Sequence, residues 1–255
     1  MDFKVIAFDA DDTLWDCQSH FEHVENRLYE LIAPYCDNPA KELYKTESGN
    51  MADLGYGCKA FTISIIETAL RVGGDHLSAE QLAQLLALSK GLLQLPATPL
   101  PGVEETLRTL RDRYCDEQPS SLTPSSTSVP YAAAPPQPSP LRPSPKFICF
   151  TKGELQDQEN KLKRSGLLKY FDDVKITSDK SQREFLALCE HQQIHPSELL
   201  MVGNSLKSDI APALAIGAWA IYIPFYVTWQ LEHTEDFDHE RLIKIEHFSE
   251  LLRYL

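Results

Sequence analysis

The feature that most restricts the fold of this chain is a rhythm in its second half. From residue 146 onward, short apolar runs alternate with helical patterns: a strand is predicted over 146–151, a helix over 153–165, a strand over 174–177 and a helix over 182–191. A strand over 199–202, a helix over 207–216 and a strand over 219–223 continue the series. Such runs are mostly apolar rather than alternating, which suits strands buried on both faces. Each strand–helix–strand step implies a right-handed crossover and therefore a parallel sheet covered on both sides. The segment 3–9, FKVIAFD, is a strand of the same type, separated from the others by more than a hundred residues.

What fills that gap is helical. Phe21, Val24, Leu28 and Leu31 form the stripe of an amphipathic helix, which Pro34 and Pro39 break. Phe61, Ile65, Ala69 and Val72 mark a second helix, ended by Gly73-Gly74. Ser78 and Gln81 form a capping-box pattern opening a third, leucine-rich helix towards Leu93. Pro101 suits the first turn of a fourth, with Val103, Leu107, Leu110 and Tyr114 on one face. The expected fold is α/β: a Rossmann-like parallel sheet core with helices on both faces, from residues 1–14 and 96–255, plus an inserted α-helical cap over 15–95. The cap should lie over the carboxyl edge of the sheet, where open α/β sheets bind ligands.

Within the core, residues 118–145 hold nine of the chain's 17 prolines, seven serines and a single charged residue, Arg142. Proline removes backbone donors and little apolar surface offsets the ordering entropy, so the stretch reads as a flexible surface insertion. Composition excludes other classes. With 24 Lys+Arg against 37 Asp+Glu, the net charge of −13 repels phosphate backbones and anionic lipid, so neither nucleic acid nor membrane is an expected partner. No apolar run approaches the ~20 residues that span a bilayer. Six scattered cysteines without a CxxC pair, and no signal-peptide pattern before the first strand, fit a reducing cytoplasm.

The chemistry gathers at strand ends. Asp9-Ala10-Asp11-Asp12-Thr13 closes the first strand, and three carboxylates within four residues repel one another unless a cation relieves them; oxygen ligands suit magnesium. Taken alone, such a turn is more simply an acidic cap for the following helix. The next strand ends in Thr151, followed by Lys152-Gly153, where a hydroxyl and free backbone N–H groups would hold a phosphate oxygen. Lys180 follows the third strand, and the fourth ends in Gly203-Asn204, with Asp209 a few residues on. A threonine, a lysine or a Gly-Asn turn means little singly, but four successive strand ends delivering carboxylate, hydroxyl, cation and carboxylate form one coherent set.

On these residues the chain resembles the haloacid dehalogenase-like (HAD) hydrolases, in particular phosphatases with a helical cap. Asp9, Asp11 and Thr13 match the family's DxDx[TV] motif, Thr151 its second motif, Lys180 its third, and Asn204 with Asp209 its fourth. The resemblance implies a magnesium-dependent hydrolase of small phosphorylated metabolites, acting through an aspartyl-phosphate. In that scheme Asp9 is the nucleophile and Asp11 the general acid and base. Thr151, Lys152 and Lys180 bind the phosphate. Asp9, the backbone carbonyl of Asp11, Asn204 and Asp209 hold the metal. Asp12 stands where many relatives have glycine, and Asn204 where an aspartate is frequent. Two alternatives stay open: a phosphomutase on the same scaffold, and a weakly active interaction protein recruiting a partner through its proline-rich stretch. His20 and His23 are set aside as surface or packing residues and Cys149 as core; Trp229 either packs over the rim of the site or, more simply, is an aromatic anchor for the C-terminal region. Trp15 either lines the substrate entrance or anchors the cap linker.

Overall fold

Apolar strands with no polar face must be covered twice, and the computed structural model, which describes residues 2–116 and 144–255, shows how. Six parallel strands among the described residues, β1 (Val5–Phe8), β2 (Lys146–Lys152), β3 (Asp173–Thr177), β4 (Leu199–Gly203), β5 (Trp219–Tyr222) and β6 (Leu242–Lys244), form one sheet in the order β3-β2-β1-β4-β5-β6. Side chains alternate between faces along each strand. Val5, Ala7, Ile148 and Phe150 pack on one side with α7 (Gln182–Gln192) and α8 (Ala211–Ala215). Ile6, Phe8, Phe147 and Cys149 pack on the other with α5 (Val103–Asp116), α6 (Leu155–Ser165) and the C-terminal Phe248 and Leu251.

The segment after β1 leaves the sheet and forms α1 (Gln18–Ile32), α2 (Pro39–Leu54), α3 (Cys58–Gly73) and α4 (Ala79–Gly91) around an apolar cluster of their own, including Val24, Leu28, Ile65 and Leu85. Ser78 and Gln81 make the reciprocal capping box expected of them. Helix α2 is a correction to the sequence reading, which treated Pro39 as a breaker. Asn38 caps the helix and Pro39 occupies its first turn, where the missing N–H costs nothing. Its buried residues are Leu43, Thr46 and Glu47, so no hydrophobic stripe betrays it. Strand β6, three residues long and only partly buried, is likewise absent from the apolar rhythm. The fourth strand–helix step also differs in detail, since Leu206–Ile210 forms a π-type turn before α8 begins.

Of the proline-rich stretch, residues 118–143 lie outside the described residues. Trp15 resolves in favour of anchoring: it is buried within the core and pairs with both Asp11 and Pro99, where the chain leaves and re-enters the sheet layer. No helix among the described residues is long and apolar enough to cross a membrane. Phe8 lies at the middle of an aromatic group, with ring centroids 5.4 Å from Phe147, 5.9 Å from Phe171 and 6.0 Å from Phe248. Phe8→Ala is expected to lower stability by about 3–5 kcal/mol, measurable as a shift in the urea midpoint; a loss below about 1 kcal/mol would contradict this packing.

Candidate active site

The charged and polar residues singled out at strand ends, Thr13 excepted, line one cavity at the carboxyl edge of the sheet. Asp9 follows β1 directly, and its backbone N–H donates to Val202 in β4. Thr151 lies in β2, Lys180 follows β3 by a short turn, and Asn204 and Asp209 follow β4. The centre of the group is the Lys180 ammonium, which donates to Asp9 Oδ1 and, at 2.6 Å, to Asp209 Oδ1. Thr13 Oγ1 lies 3.1 Å from Asp9 Oδ2 and 3.2 Å from Asn204 Oδ1, so its single proton is within reach of either acceptor.

Electrostatics follow from burial. Removal from water, together with the Asp209 carboxylate, pushes Asp9 up to about 7, and Lys180 only partly counters this. Burial would lower the Lys180 ammonium, but Asp209 and Asp9 outweigh it and hold the group above its ordinary value. Gly203 is required by close approach: a Cβ there would stand 2.4 Å from Asp209 Oδ2 and 2.6 Å from its Cγ. The Ser205 backbone N–H donates to that same oxygen at 3.0 Å.

Asp11 is held by groups the sequence reading did not identify. Its carboxylate accepts from Trp15 Nε1 at 2.7 Å, Gln158 Nε2 at 2.7 Å and Lys161 Nζ at 2.8 and 2.7 Å. Burial favours the neutral acid, yet Lys161 and these hydrogen bonds prevail and lower Asp11 below its usual value. Gln158 and Lys161 come from α6, whose face towards the site is polar although buried. A helix between two strands of one sheet with so few apolar residues was the available signal. Asp12 adopts φ 62°, the left-handed region that favours glycine, and its Oδ1 accepts from the backbone N–H groups of Cys17 and Gln18 at the start of α1. The simple reading of the acidic turn as a helix cap is therefore right for Asp12.

Two expectations need correction. The Gly153 N–H is not free, since it donates to the Thr177 carbonyl at 2.9 Å. Lys152 reaches the cavity, but its ammonium pairs with Glu232 at 2.5 Å, donates to Ser208 Oγ at 2.7 Å and lies 3.9 Å above the Tyr56 ring. Glu232 also accepts from Ser205 and Ser208, both at 2.6 Å. Trp229 is more than an anchor: it lines the cavity, donates to Glu47 Oε2 at 3.3 Å and meets Tyr56 edge-on. Cys149 is the small core residue expected. His20 and His23 do not line the cavity.

Among the described residues, no three carboxylate, imidazole or thiol side chains are placed to hold a metal by themselves. The donor set of Asp9, Asp209, the Asn204 amide and the Asp11 backbone consists entirely of oxygens, the chemistry of a hard divalent cation. The cavity also carries seven carboxylates, those of Asp9, Asp11, Asp12, Glu47, Asp157, Asp209 and Glu232, against the three lysines 152, 161 and 180. The residues present fit a dication.

Comparison with known proteins shows what a parallel α/β core with this acid-rich carboxyl edge is similar to. A haloacid dehalogenase-like hydrolase from Xanthomonas campestris superposes with a TM-score of 0.78 at 25% identity, covering 99% of this chain and 91% of that one. The HAD hydrolase YfnB from Bacillus subtilis, described as bound to magnesium, gives 0.62 at 16% identity over 100% and 99% of the two chains. 2-Haloacid dehalogenases share the fold as well; that of Pseudomonas syringae gives 0.56 at 18% identity over 98% and 97%. Among curated sequences, mouse N-acylneuraminate-9-phosphatase is 27% identical over 82 residues, which is 30% of this chain and a third of that protein's length. No family model matches the chain. In fold the chain is similar to the haloacid dehalogenase-like hydrolases.

Because Gly203 leaves no room for a side chain, Gly203→Ala is expected to displace Asp209 and cost about 1–3 kcal/mol. Urea denaturation checks this, and an unchanged midpoint would show that the close approach does not constrain position 203.

Proposed function

We propose that the protein is a magnesium-dependent hydrolase of small phosphate monoesters, working through an aspartyl-phosphate on Asp9. The observation that carries this reading is a second carboxylate, the half-buried Asp11, two residues beyond Asp9 and lining the same cavity. Phosphoester cleavage needs a nucleophile and a separate proton carrier, and these two groups supply them. Haloacid dehalogenases, which share the fold, do not need an acid at that position. The short phosphatase match and the excess of carboxylates over lysines in the cavity support the same conclusion.

In this mechanism Asp9 attacks phosphorus while the ester oxygen leaves with a proton from Asp11. Asp11 then takes a proton from the water that hydrolyses the acyl phosphate. Its contacts with Lys161, Gln158 and Trp15 stabilise the ionised carboxylate, the form required for that second step. Donation in the first step requires Asp11 to carry a proton and turn from Lys161 towards the leaving oxygen. Lys180 stays between Asp9 and Asp209, keeps the nucleophile oriented and offers positive charge to the transferring group. The Thr151 hydroxyl lines the same wall and orients a phosphate oxygen. Asp9, the Asp11 carbonyl, Asn204 and Asp209 would hold magnesium, which neutralises charge between the carboxylates and the incoming phosphate. Helices α1–α3 act as a cap: Phe21, Phe61 and Tyr56 wall the cavity opposite the sheet and limit entry of water.

A panel of small phosphate esters assayed with magnesium and with a chelator tests the reading. Phosphate release should require magnesium and vanish in Asp9→Asn; full turnover by that variant would remove Asp9 from the nucleophile's role. Asp11→Asn should lower kcat by about 10²-fold or more for esters with poor leaving groups. Equal rates for Asp11→Asn and wild type on an alkyl phosphate would rule out general acid–base catalysis by Asp11.

A further inference from the structure

Glu47 stands in α2, the helix that hydrophobic periodicity did not reveal, and lines the same cavity as Asp9. It is 6% exposed. Its Oε2 accepts from Trp229 Nε1, whereas its Oε1 has no hydrogen-bond partner. Burial and the nearby Glu25 carboxylate push the acid up to about 7, with the Trp229 contact a smaller opposing influence. No lysine, arginine or histidine among the described residues forms an ion pair with it. A buried carboxylate beside a second acid, with an oxygen unpaired and no countercharge, is expensive, and an apolar side chain would fill the space at lower cost.

The surroundings indicate what would relieve that cost. Phe21, Phe61 and Met51 line the cavity with Trp229, whose ring meets Tyr56 at 5.8 Å and 74°. Aromatic faces attract cations, and a carboxylate beside them adds charge and an acceptor. A hydroxyl would leave the repulsion between Glu25 and Glu47, whereas an ammonium offsets it; Oε1 is shielded in this structure, so a small turn of the carboxylate brings it to the cavity and to such a cation. The cavity, at about 160 Å³, is comparable with one that holds a benzene-sized molecule, which favours a leaving group of a few carbons.

We propose that Glu47 is the recognition group for a protonated amine, so that the substrate is a small phosphate monoester with an ammonium on its leaving group, phosphate at Asp9 and ammonium at Glu47. This rests on the phosphomonoester reading and adds a substrate class to it. The test is a set of ω-aminoalkyl phosphates of two to six carbons, each beside the alkyl and ω-hydroxyalkyl phosphates of matching length. Phosphate release by the wild type with magnesium is one readout. Calorimetric binding to Asp9→Asn, which needs no turnover, is the other.

At one chain length, the amine should exceed both matched compounds by about tenfold or more in kcat/KM and in affinity, and Glu47→Gln should bring that ratio close to one. Should Glu47→Gln fail to fold, Glu47→Met serves as the second variant, and the wild-type comparison decides by itself. Turnover without amine preference, preference for the hydroxyl compound, or a ratio that survives Glu47→Gln would overturn the amine site and leave the hydrolase reading standing. Amine-selective binding without turnover of any ester would sink the hydrolase reading and support the subsite. Neither binding nor release across the panel would overturn both.

Discussion

The arrangement depends on one ammonium group held between two carboxylates. Asp9 and Asp209 come from the ends of adjacent strands β1 and β4, and both are buried. Without a cation between them, two ionised carboxylates at that spacing would drive one another towards the neutral form. Lys180 supplies the charge from beyond β3, two positions along the sheet from β1. A long, flexible stem is needed to cross that distance, and the parallel strand order brings all three residues to the same edge. The cluster is thus a product of topology: right-handed crossovers fix which strand ends are neighbours, and the chain places charge where they meet.

Much of this was legible in the sequence because it is carried by patterns the chain must display. The apolar runs announced β1 to β5; Asp9 and Thr151 were found because each stands at the end of such a run, and Lys180 and Asp209 because each lies in the turn that follows one. Gly203 was visible as a turn, but its role is different: it makes room for Asp209. What escaped detection follows from the same logic. Helix α2 buries Thr46 and Glu47 beside Leu43, so no apolar stripe marks it. Lys161 and Gln158 look like surface residues of a polar helix, and only the fold shows that their face of α6 lies against Asp11. Glu232 belongs to a region with little regular structure, and its contacts with Lys152, Ser205 and Ser208 depend on chain segments far apart in sequence. Periodicity reports which residues avoid water for apolar reasons; it is silent on polar groups buried for the sake of other polar groups.

That distinction bears on how a phosphate could be accommodated. Each of the three lysines in the cavity is already committed to carboxylates of the chain: Lys180 to Asp9 and Asp209, Lys161 to Asp11 and Asp157, Lys152 to Glu232. An incoming phosphate dianion therefore meets cations whose charge is largely balanced and acids that repel it. Lys180 can share its charge, but sharing alone leaves the cavity more negative than before. In the proposed reaction a hard dication would resolve the imbalance, because its ligands would be the same oxygens that repel the phosphate. Under the proposed phosphatase reading, the surplus of acids, costly to the folded chain by itself, would become the means of holding the positive charge that phosphoryl transfer requires.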